Sequence, residues 1–221
     1  MEELFRKLGI NPKNDKNYKI AFQHTSYANE NHSTDYERLE FLGDAVVELV
    51  VSDYLYNKMN KKEGDMTKIR ASYVCENALC EYAKDLNLSE YIKVGHGEEI
   101  SGGRYKKVIM ADIFEALMGA IYLEFGFEKA RKVLLKIIVP YIEDPNVIFF
   151  SDYKGTLQEF VQTEKRSIVY ELIDEKGTAQ DKEFKIQAKI DNIVYGIGTA
   201  HNKKEAEQEA ARDALNKLAI K

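Results

Sequence analysis

The sequence has few cysteines and no long apolar run, and both absences limit the classes of protein it can belong to. Its two cysteines, Cys75 and Cys80, fit neither a CxxC pair nor a disulfide framework, so we expect reduced thiols in a cytoplasmic protein. No apolar stretch approaches the roughly 18 residues of a membrane span. The charged start MEELFRKLGI lacks the apolar run of a signal peptide, and we expect no membrane partner.

The sequence also lacks an excess of positive charge. It carries 32 Lys and Arg against 37 Asp and Glu, which gives a formal net charge of −5. Taken alone, this balance argues against nucleic-acid binding, which usually brings a basic excess. Total charge does not describe local arrangement, however. A protein that concentrates carboxylates at a metal site can be acidic overall and still hold basic phosphate contacts elsewhere.

The periodicity of apolar residues divides the chain into two segments. Residues 1–145 are predicted to be nearly all helix, because apolar side chains recur three and four residues apart. Residues 146–152 form a predicted linker after Pro145, which stops the last long helix. Residues 153–221 are predicted to follow the order α-β-β-β-α, since segments such as KEFKIQAKI alternate apolar and polar side chains as strands do.

Single residues predict several local features of these segments. The glycine-rich stretch 95–104 is typical of a loop before the helix that holds Asp112. Lys176-Gly177 predicts the turn that ends the first strand, and Asp191-Asn192 predicts a tight turn between the second and third strands. Asn202 is the predicted N-cap of the last helix.

The stretch YERLEFLGDAVVEL places four acidic residues on one face of a predicted helix. At about 3.6 residues per turn, positions i, i+3, i+7 and i+11 align, and these positions are Glu37, Glu40, Asp44 and Glu48. Like charges at such spacing repel each other, so a cation, a metal or solvent has to compensate. An acidic, solvated helix face is the other interpretation, and spacing alone does not decide between them.

A second predicted helix, MADIFEALMGAIY, sets Asp112 and Glu115 three residues apart among strongly apolar neighbours. Acidic residues in a buried helix are costly unless they are paired or bind a metal. Packing of the two helices would bring Glu40, Asp44, Asp112 and Glu115 to one point. Carboxylates without His or Cys suit Mg²⁺ or Mn²⁺ rather than zinc. A di-iron bundle is disfavoured because no histidine lies three residues after a glutamate.

Four sequence blocks resemble those of the ribonuclease III family. ERLEFLGDA at 37–45 matches the nine-residue signature of that family in full, and HTSYANE at 24–30, EGDMTKIRASYV at 63–74 and DIFEALMGAIYLE at 112–124 resemble its other blocks in order. The resemblance continues through the C-terminal segment and covers essentially the whole chain. It implies an all-helical nuclease domain followed by an α-β-β-β-α double-stranded-RNA-binding domain.

The resemblance also implies an activity and its residues. Glu40, Asp44, Asp112 and Glu115 match the positions that hold catalytic Mg²⁺, with Asp44 and Glu115 the pair on which the chemistry depends most. The implied reaction is the hydrolysis of double-stranded RNA to 5′-phosphate and 3′-hydroxyl ends with short 3′ overhangs, without a small-molecule cofactor. A bacterial member would process ribosomal RNA precursors and messages. A catalytically silent RNA-binding protein is the first alternative, and a structural helical protein that merely carries acidic faces is the second.

Three further residues of the first segment match family positions. Glu37 and Glu63 match auxiliary acids near the scissile strands. Phe41 matches an apolar residue that plugs into a partner subunit, which implies a homodimer. Ordinary core packing is the alternative for Phe41.

The C-terminal segment carries the candidate contacts to double-stranded RNA. Lys203 and Lys204 start the last helix, where the dipole and free N–H groups already favour an anion, although a solvated helix start is the commoner role of such a pair. The resemblance implies that Gln158 and Gln162 contact the minor groove. Gln180 lies in a loop where the family often has a Gly-Pro-x-His sequence. It is the candidate replacement for that contact, and weak RNA binding by the loop is the alternative.

The charge of this segment sets a condition on RNA binding. Residues 151–221 contain 12 Lys and Arg against 13 Asp and Glu, so the segment has no general basic field. Binding then depends on local patches and is expected to be sensitive to salt.

Overall fold

The first of two compact units, residues 1–150, is built almost entirely from helices, as the apolar periodicity predicts. The computed structural model describes residues 1–147, 149, 152–178 and 181–219 of the chain. The helices of the first unit are α1 Glu2–Leu8, α2 Lys16–Ala21, α3 Thr25–Asn31, α4 Glu37–Lys58, α5 Glu63–Val74, α6 Glu76–Asp85, α7 His96–Ile100, α8 Lys107–Phe125 and α9 Phe127–Glu143.

Helix α8 lies at the centre of the core of the first unit. From Ile109 to Ile121 every residue is buried except Asp112 and Glu115, which are half-buried. The apolar residues of α8 pack against α4, α6 and α9, which surround it. The two acidic residues are therefore held in place by a helix whose other faces are all occupied by core packing.

Two glycines allow the backbones of α4 and α8 to touch. A Cβ atom at Gly43 would lie 1.8 Å from the carbonyl oxygen of Glu115, and one at Gly119 would lie 2.3 Å from the carbonyl oxygen of Leu39. Neither position has room for a methyl group. This contact sets the separation of the two helices that carry the acidic residues.

The prediction of a loop at 95–104 is wrong. Residues His96–Ile100 form α7, and Gly103–Tyr105 form a 3₁₀ turn. The backbone N–H of His96 donates to Glu30 Oε1 at 2.9 Å, and Arg104 pairs with Glu99 at 2.6 Å, so side chains stabilise the segment. Glycine is needed at position 95 because the side chain of Glu30 packs against it. A Cβ atom there would lie 2.5 Å from Oε1 of Glu30.

The second unit, residues 151–221, has the predicted order α-β-β-β-α. Its three strands form one antiparallel sheet in the order β1-β2-β3. Phe184, Ile186, Ala188 and Ile190 alternate as predicted, with the last three buried. The elements are α10 Tyr153–Thr163, β1 Ile168–Thr178, β2 Asp181–Ile190, β3 Ile193–Ala200 and α11 Lys203–Lys217.

One of the two predicted turns of this unit is confirmed and the other is wrong. Asp191 and Asn192 have φ values of 49° and 68°, which fit a tight hairpin turn between β2 and β3. The expected turn at Lys176-Gly177 lies inside the ladder, where pairing of β1 with β2 continues to residues 178 and 181. Cross-strand ion pairing, such as Lys182 with Glu175 at 2.6 Å, stabilises this extension.

Helix α11 packs directly against the backbone of β3. A Cβ atom at Gly196 would lie 2.0 Å from the carbonyl oxygen of Ala210, and one at Gly198 would lie 2.2 Å from that of Ala206. The small side chains that α11 turns toward the sheet are buried alanines. Asn202 caps the helix as predicted, because its Oδ1 accepts the N–H of Glu205 at 2.9 Å.

Cys75 and Cys80 are free thiols. Within the described ranges, no helix is both long enough and apolar enough to cross a bilayer.

Replacement of Gly43 by Ala should destabilise the first unit strongly. The added methyl group meets backbone atoms that cannot rotate away, and overpacking of this kind costs about 1–3 kcal/mol or more. A melting temperature lower by roughly 5–10 °C is expected for a chain of this size. Gly64→Ala is the matched control, because Gly64 lies in α5 with no atom within 4 Å of its Cβ position. Equal melting temperatures for the two variants would contradict the packing argument.

Candidate active site

Three of the four predicted ligand carboxylates meet where α4 contacts α8. Glu40 of α4 and Asp112 and Glu115 of α8 each offer an oxygen within 4.8 Å of the others. All three side chains are half-buried. Glu40 lies one turn before Gly43, and Gly43 contacts the backbone of Glu115, so the glycine contact brings the carboxylates together.

The carboxylates repel each other in a partly desolvated site. Burial, followed by the charges of Asp44 and Glu40, raises the pKa of Glu115 to about 8. Burial, followed by the charges of Asp112 and Glu37, raises the pKa of Glu40 to about 7. Burial also raises the pKa of Asp112. At neutral pH the cluster therefore favours protons unless a cation balances its charge.

The donor set of this cluster fits a hard divalent cation. Its ligands are carboxylate oxygens only, without His or Cys, which suits Mg²⁺ or Mn²⁺. Raised pKa values fit the same conclusion, because a bound cation lowers the free energy of the ionised carboxylates and competes with protons for them.

The remaining predicted acids are not members of the cluster. Asp44 and Glu37 lie close enough for their charges to raise pKa values in it, and Glu63 lies on α5. Asp44 is exposed one turn after Glu40, and its charge is close enough to raise the pKa values of Glu115 and Glu40. Glu37 is exposed and accepts a hydrogen bond from Thr25 Oγ1 at 3.1 Å. Glu63 is exposed at the first residue of α5 and accepts from Thr67 Oγ1 at 3.0 Å.

The structure adds a residue that the sequence patterns do not indicate. The hydroxyl of Tyr36 donates to Oδ2 of Asp112 at 2.9 Å. The two residues are 76 positions apart, and no spacing rule relates them. In the sequence, this contact is indicated only by the position of Tyr36 directly before the signature block at 37–45.

Phe41 lies on an exposed apolar stripe of α4. Its side chain is 82% exposed, and those of Leu49 and Tyr56 are 55% and 77% exposed. The three positions are separated by eight and seven residues, which keeps them on one helical face. Phe41 therefore does not pack in the core of its own chain, and the core-packing alternative is wrong.

The candidate RNA contacts of the second unit are solvent-accessible where the structure describes them. Gln158 and Gln162 are exposed on α10, and Lys203 and Lys204 are exposed at the start of α11. Nζ of Lys203 lies 5.5 Å from the ring centroid of Phe184. Gln180 lies outside the described residues.

Two family models match the chain, one for each unit. The model described as Ribonuclease-III-like matches residues 14–142, and the double-stranded RNA binding motif matches residues 153–218. The helical unit with its carboxylate cluster and the α-β-β-β-α unit thus define a nuclease domain followed by an RNA-binding domain.

Known proteins resemble the chain over its whole length. Ribonuclease 3 of Listeria monocytogenes is 45% identical over 98% of this chain and 97% of that protein. Ribonuclease 3 of Halalkalibacterium halodurans is 44% identical over 100% of this chain and 86% of that protein. The solved nuclease domain of ribonuclease III from Campylobacter jejuni is 41% identical, covers 63% of this chain and 96% of that chain, and has a TM-score of 0.60. The chain belongs to the ribonuclease III family.

The raised pKa values predict that stability falls with rising pH when no divalent cation is present. Glu115 and Glu40 have an ordinary pKa of 4.5 and values of about 8 and about 7 in the folded protein. Between these limits the folded state holds more protons than the unfolded chain. Stability is therefore highest below pH 4.5, as far as these groups determine it, and is lost as the pH rises toward 8.

The Glu115→Gln variant tests whether the raised pKa of Glu115 lowers stability at high pH. The melting temperatures of the variant and the wild type are measured from pH 5 to 8 in the presence of a chelator. The variant should show a flatter decline, and at pH 8 it should melt above the wild type. Added Mg²⁺ should raise the wild-type melting temperature most at high pH. Glu128→Gln removes an exposed carboxylate elsewhere and should keep the wild-type slope. Parallel curves for Glu115→Gln and the wild type would contradict the pKa shift.

Proposed function

We propose that the protein is an endoribonuclease that hydrolyses phosphodiester bonds in double-stranded RNA with a Mg²⁺-dependent carboxylate site. The observation that carries the proposal is the half-buried cluster of Glu40, Asp112 and Glu115, in a chain that also matches the double-stranded RNA binding motif. Mn²⁺ is expected to substitute for Mg²⁺, because the same oxygen donors suit both ions.

The residues of the site divide into inner and outer groups. Glu40, Asp112 and Glu115 would hold the cation, and Asp44 would complete the donor set from the exposed side. When bound, a divalent cation lowers the pKa of water and shields charge on the phosphate. The helix contact at Gly43 keeps the inner carboxylates in place before RNA arrives, and their partial burial limits the competing water.

The outer acids and the catalytic pair follow from the family resemblance. Asp44 and Glu115 are proposed as the residues on which the chemistry depends most, and Glu37 and Glu63 as auxiliary acids near the scissile strands. The proposed products have 5′-phosphate and 3′-hydroxyl ends with short 3′ overhangs.

We infer a homodimer from the apolar stripe on α4. Phe41, Leu49 and Tyr56 present large apolar side chains to solvent, and exposed apolar patches of this kind usually mark an interaction surface. The Campylobacter jejuni nuclease domain has a region involved in dimer formation. A second copy of this chain covering the stripe would give an assembly with two cutting centres.

The second unit is proposed to bind the RNA duplex. Exposed amide side chains at Gln158 and Gln162 suit the minor groove, where 2′-hydroxyls donate and accept hydrogen bonds. Lys203 and Lys204 suit a phosphate group at the start of α11. The proposed substrates are ribosomal RNA precursors and structured messages in the cytoplasm, with no small-molecule cofactor.

Cleavage of a long RNA duplex tests the proposed activity directly. The protein should cut the duplex in Mg²⁺ and leave it intact in a chelator. Glu115→Gln should abolish cutting and retain duplex binding in a mobility-shift assay, because it removes a ligand charge and leaves the second unit unchanged. Glu128→Gln should cut as the wild type does. An intact duplex with the wild type in Mg²⁺ would leave the catalytically silent RNA-binding protein as the function.

The lysine pair predicts a change in salt dependence. In the Glu115→Gln protein, which keeps the RNA intact, Lys203→Ala with Lys204→Ala should weaken duplex binding. The slope of log affinity against log salt should fall by about 1 for each phosphate group that the variant no longer neutralises. Lys217→Ala removes a lysine from the other end of α11 and should leave that slope unchanged. An unchanged slope in the double variant would show that these lysines do not bind phosphate.

A further inference from the structure

Tyr36 connects the two helices that carry the carboxylate cluster. Its hydroxyl donates to Oδ2 of Asp112 on α8 at 2.9 Å, and its backbone carbonyl accepts the N–H of Glu40 on α4 at 3.0 Å. The residue is 3% exposed. One buried residue thus contacts a member of the cluster on each helix.

The surroundings of Tyr36 restrict its movement. Its backbone N–H donates to the carbonyl oxygen of Gln23 at 3.0 Å. Its ring lies 5.8 Å from the ring of His24, measured between centroids. His24 is itself fixed as the N-cap of α3, because its Nδ1 accepts the N–H of Ser26 at 3.1 Å. The hydroxyl of Tyr36 is therefore held at a defined position beside Asp112.

The hydrogen bond has a defined direction. Burial, followed by the charge of Asp112, raises the pKa of the Tyr36 hydroxyl above its ordinary value. The hydroxyl keeps its proton, and an ionised carboxylate can only accept it. The bond lowers the pKa of Asp112 and so opposes the effect of burial on that group.

We propose that Tyr36 is a positioning residue for the cation centre. By donating to Oδ2 of Asp112, it would fix the rotation of that carboxylate beside Glu40 and Glu115. This inference rests on the proposed cation site of Glu40, Asp112 and Glu115. A merely structural role would be to link α4 to α8, which the contact at Gly43 and Gly119 already does. Partners that orient metal ligands typically change metal affinity by about 10–100-fold.

The test compares Mn²⁺ binding by metal-free wild type and Tyr36→Phe, followed by the electron paramagnetic resonance of free Mn²⁺. The variant keeps the buried ring and removes only the hydroxyl. Its Kd for Mn²⁺ should rise by about 10-fold or more. The Mg²⁺ concentration that gives half-maximal cutting should rise in parallel, while kcat at saturating Mg²⁺ changes much less, because excess ion compensates for weaker binding.

Tyr54→Phe is the matched control. Tyr54 is a 9% exposed residue of α4, and its hydroxyl bonds to a carboxylate, Glu143, at 3.4 Å. This variant should bind Mn²⁺ as the wild type does. Equal weakening in both variants would overturn the proposal, as would unchanged or tighter binding by Tyr36→Phe. A Tyr36→Phe protein without a cooperative melt would also overturn it, because the hydroxyl would then hold the fold rather than place the carboxylate.

Mn²⁺ binding and duplex cutting by the wild type distinguish a failure of this inference from a failure of the proposed function. A wild-type protein that neither binds Mn²⁺ nor cuts duplex RNA removes the cation site and the inference with it. A wild type that does both, beside a Tyr36→Phe variant of equal Mn²⁺ affinity, removes the role of Tyr36 alone.

Discussion

The direct contact between the backbones of α4 and α8 is the constraint on which the first unit depends. Gly43 and Gly119 face backbone atoms of the opposite helix at distances that exclude any side chain. At this separation Glu40 of α4 and Asp112 and Glu115 of α8 each offer an oxygen within 4.8 Å of the others. The repulsion among them costs free energy, and the apolar packing around α8 has to offset that cost.

The sequence predicts the elements of this arrangement better than the contacts between them. Helical periodicity, the α-β-β-β-α order and the acidic faces depend on neighbours a few residues apart, and the structure has all three. The hydrogen bond from Tyr36 to Asp112 joins residues 76 positions apart, so local spacing carries no trace of it. Asp44 is exposed beside the cluster and Glu40 is half-buried within it. This difference also depends on how α4 and α8 face each other, which local spacing does not determine.

The errors at 95–104 and at Lys176-Gly177 have a common physical cause. Both predictions treat glycine as a sign of a loop or turn, and tertiary contacts decide otherwise. Gly95 leaves space for Glu30, and Gly177 pairs with Lys182 inside a ladder that ion pairs extend. A glycine permits a turn, and it also permits another part of the chain to pack closely against the backbone. The surrounding structure determines which of these two roles a glycine has.

In both units, close backbone contacts at glycines fix the position of the helix that carries the functional residues. Helix α8 is located against α4, and α11 against β3, through glycines that bring backbone to backbone. Side chains elsewhere in each core can therefore be exchanged for others of similar volume without moving the carboxylates or the lysine pair. Over evolutionary time such a protein can change much of its interior while its chemistry stays in place, provided that these few glycines do not change.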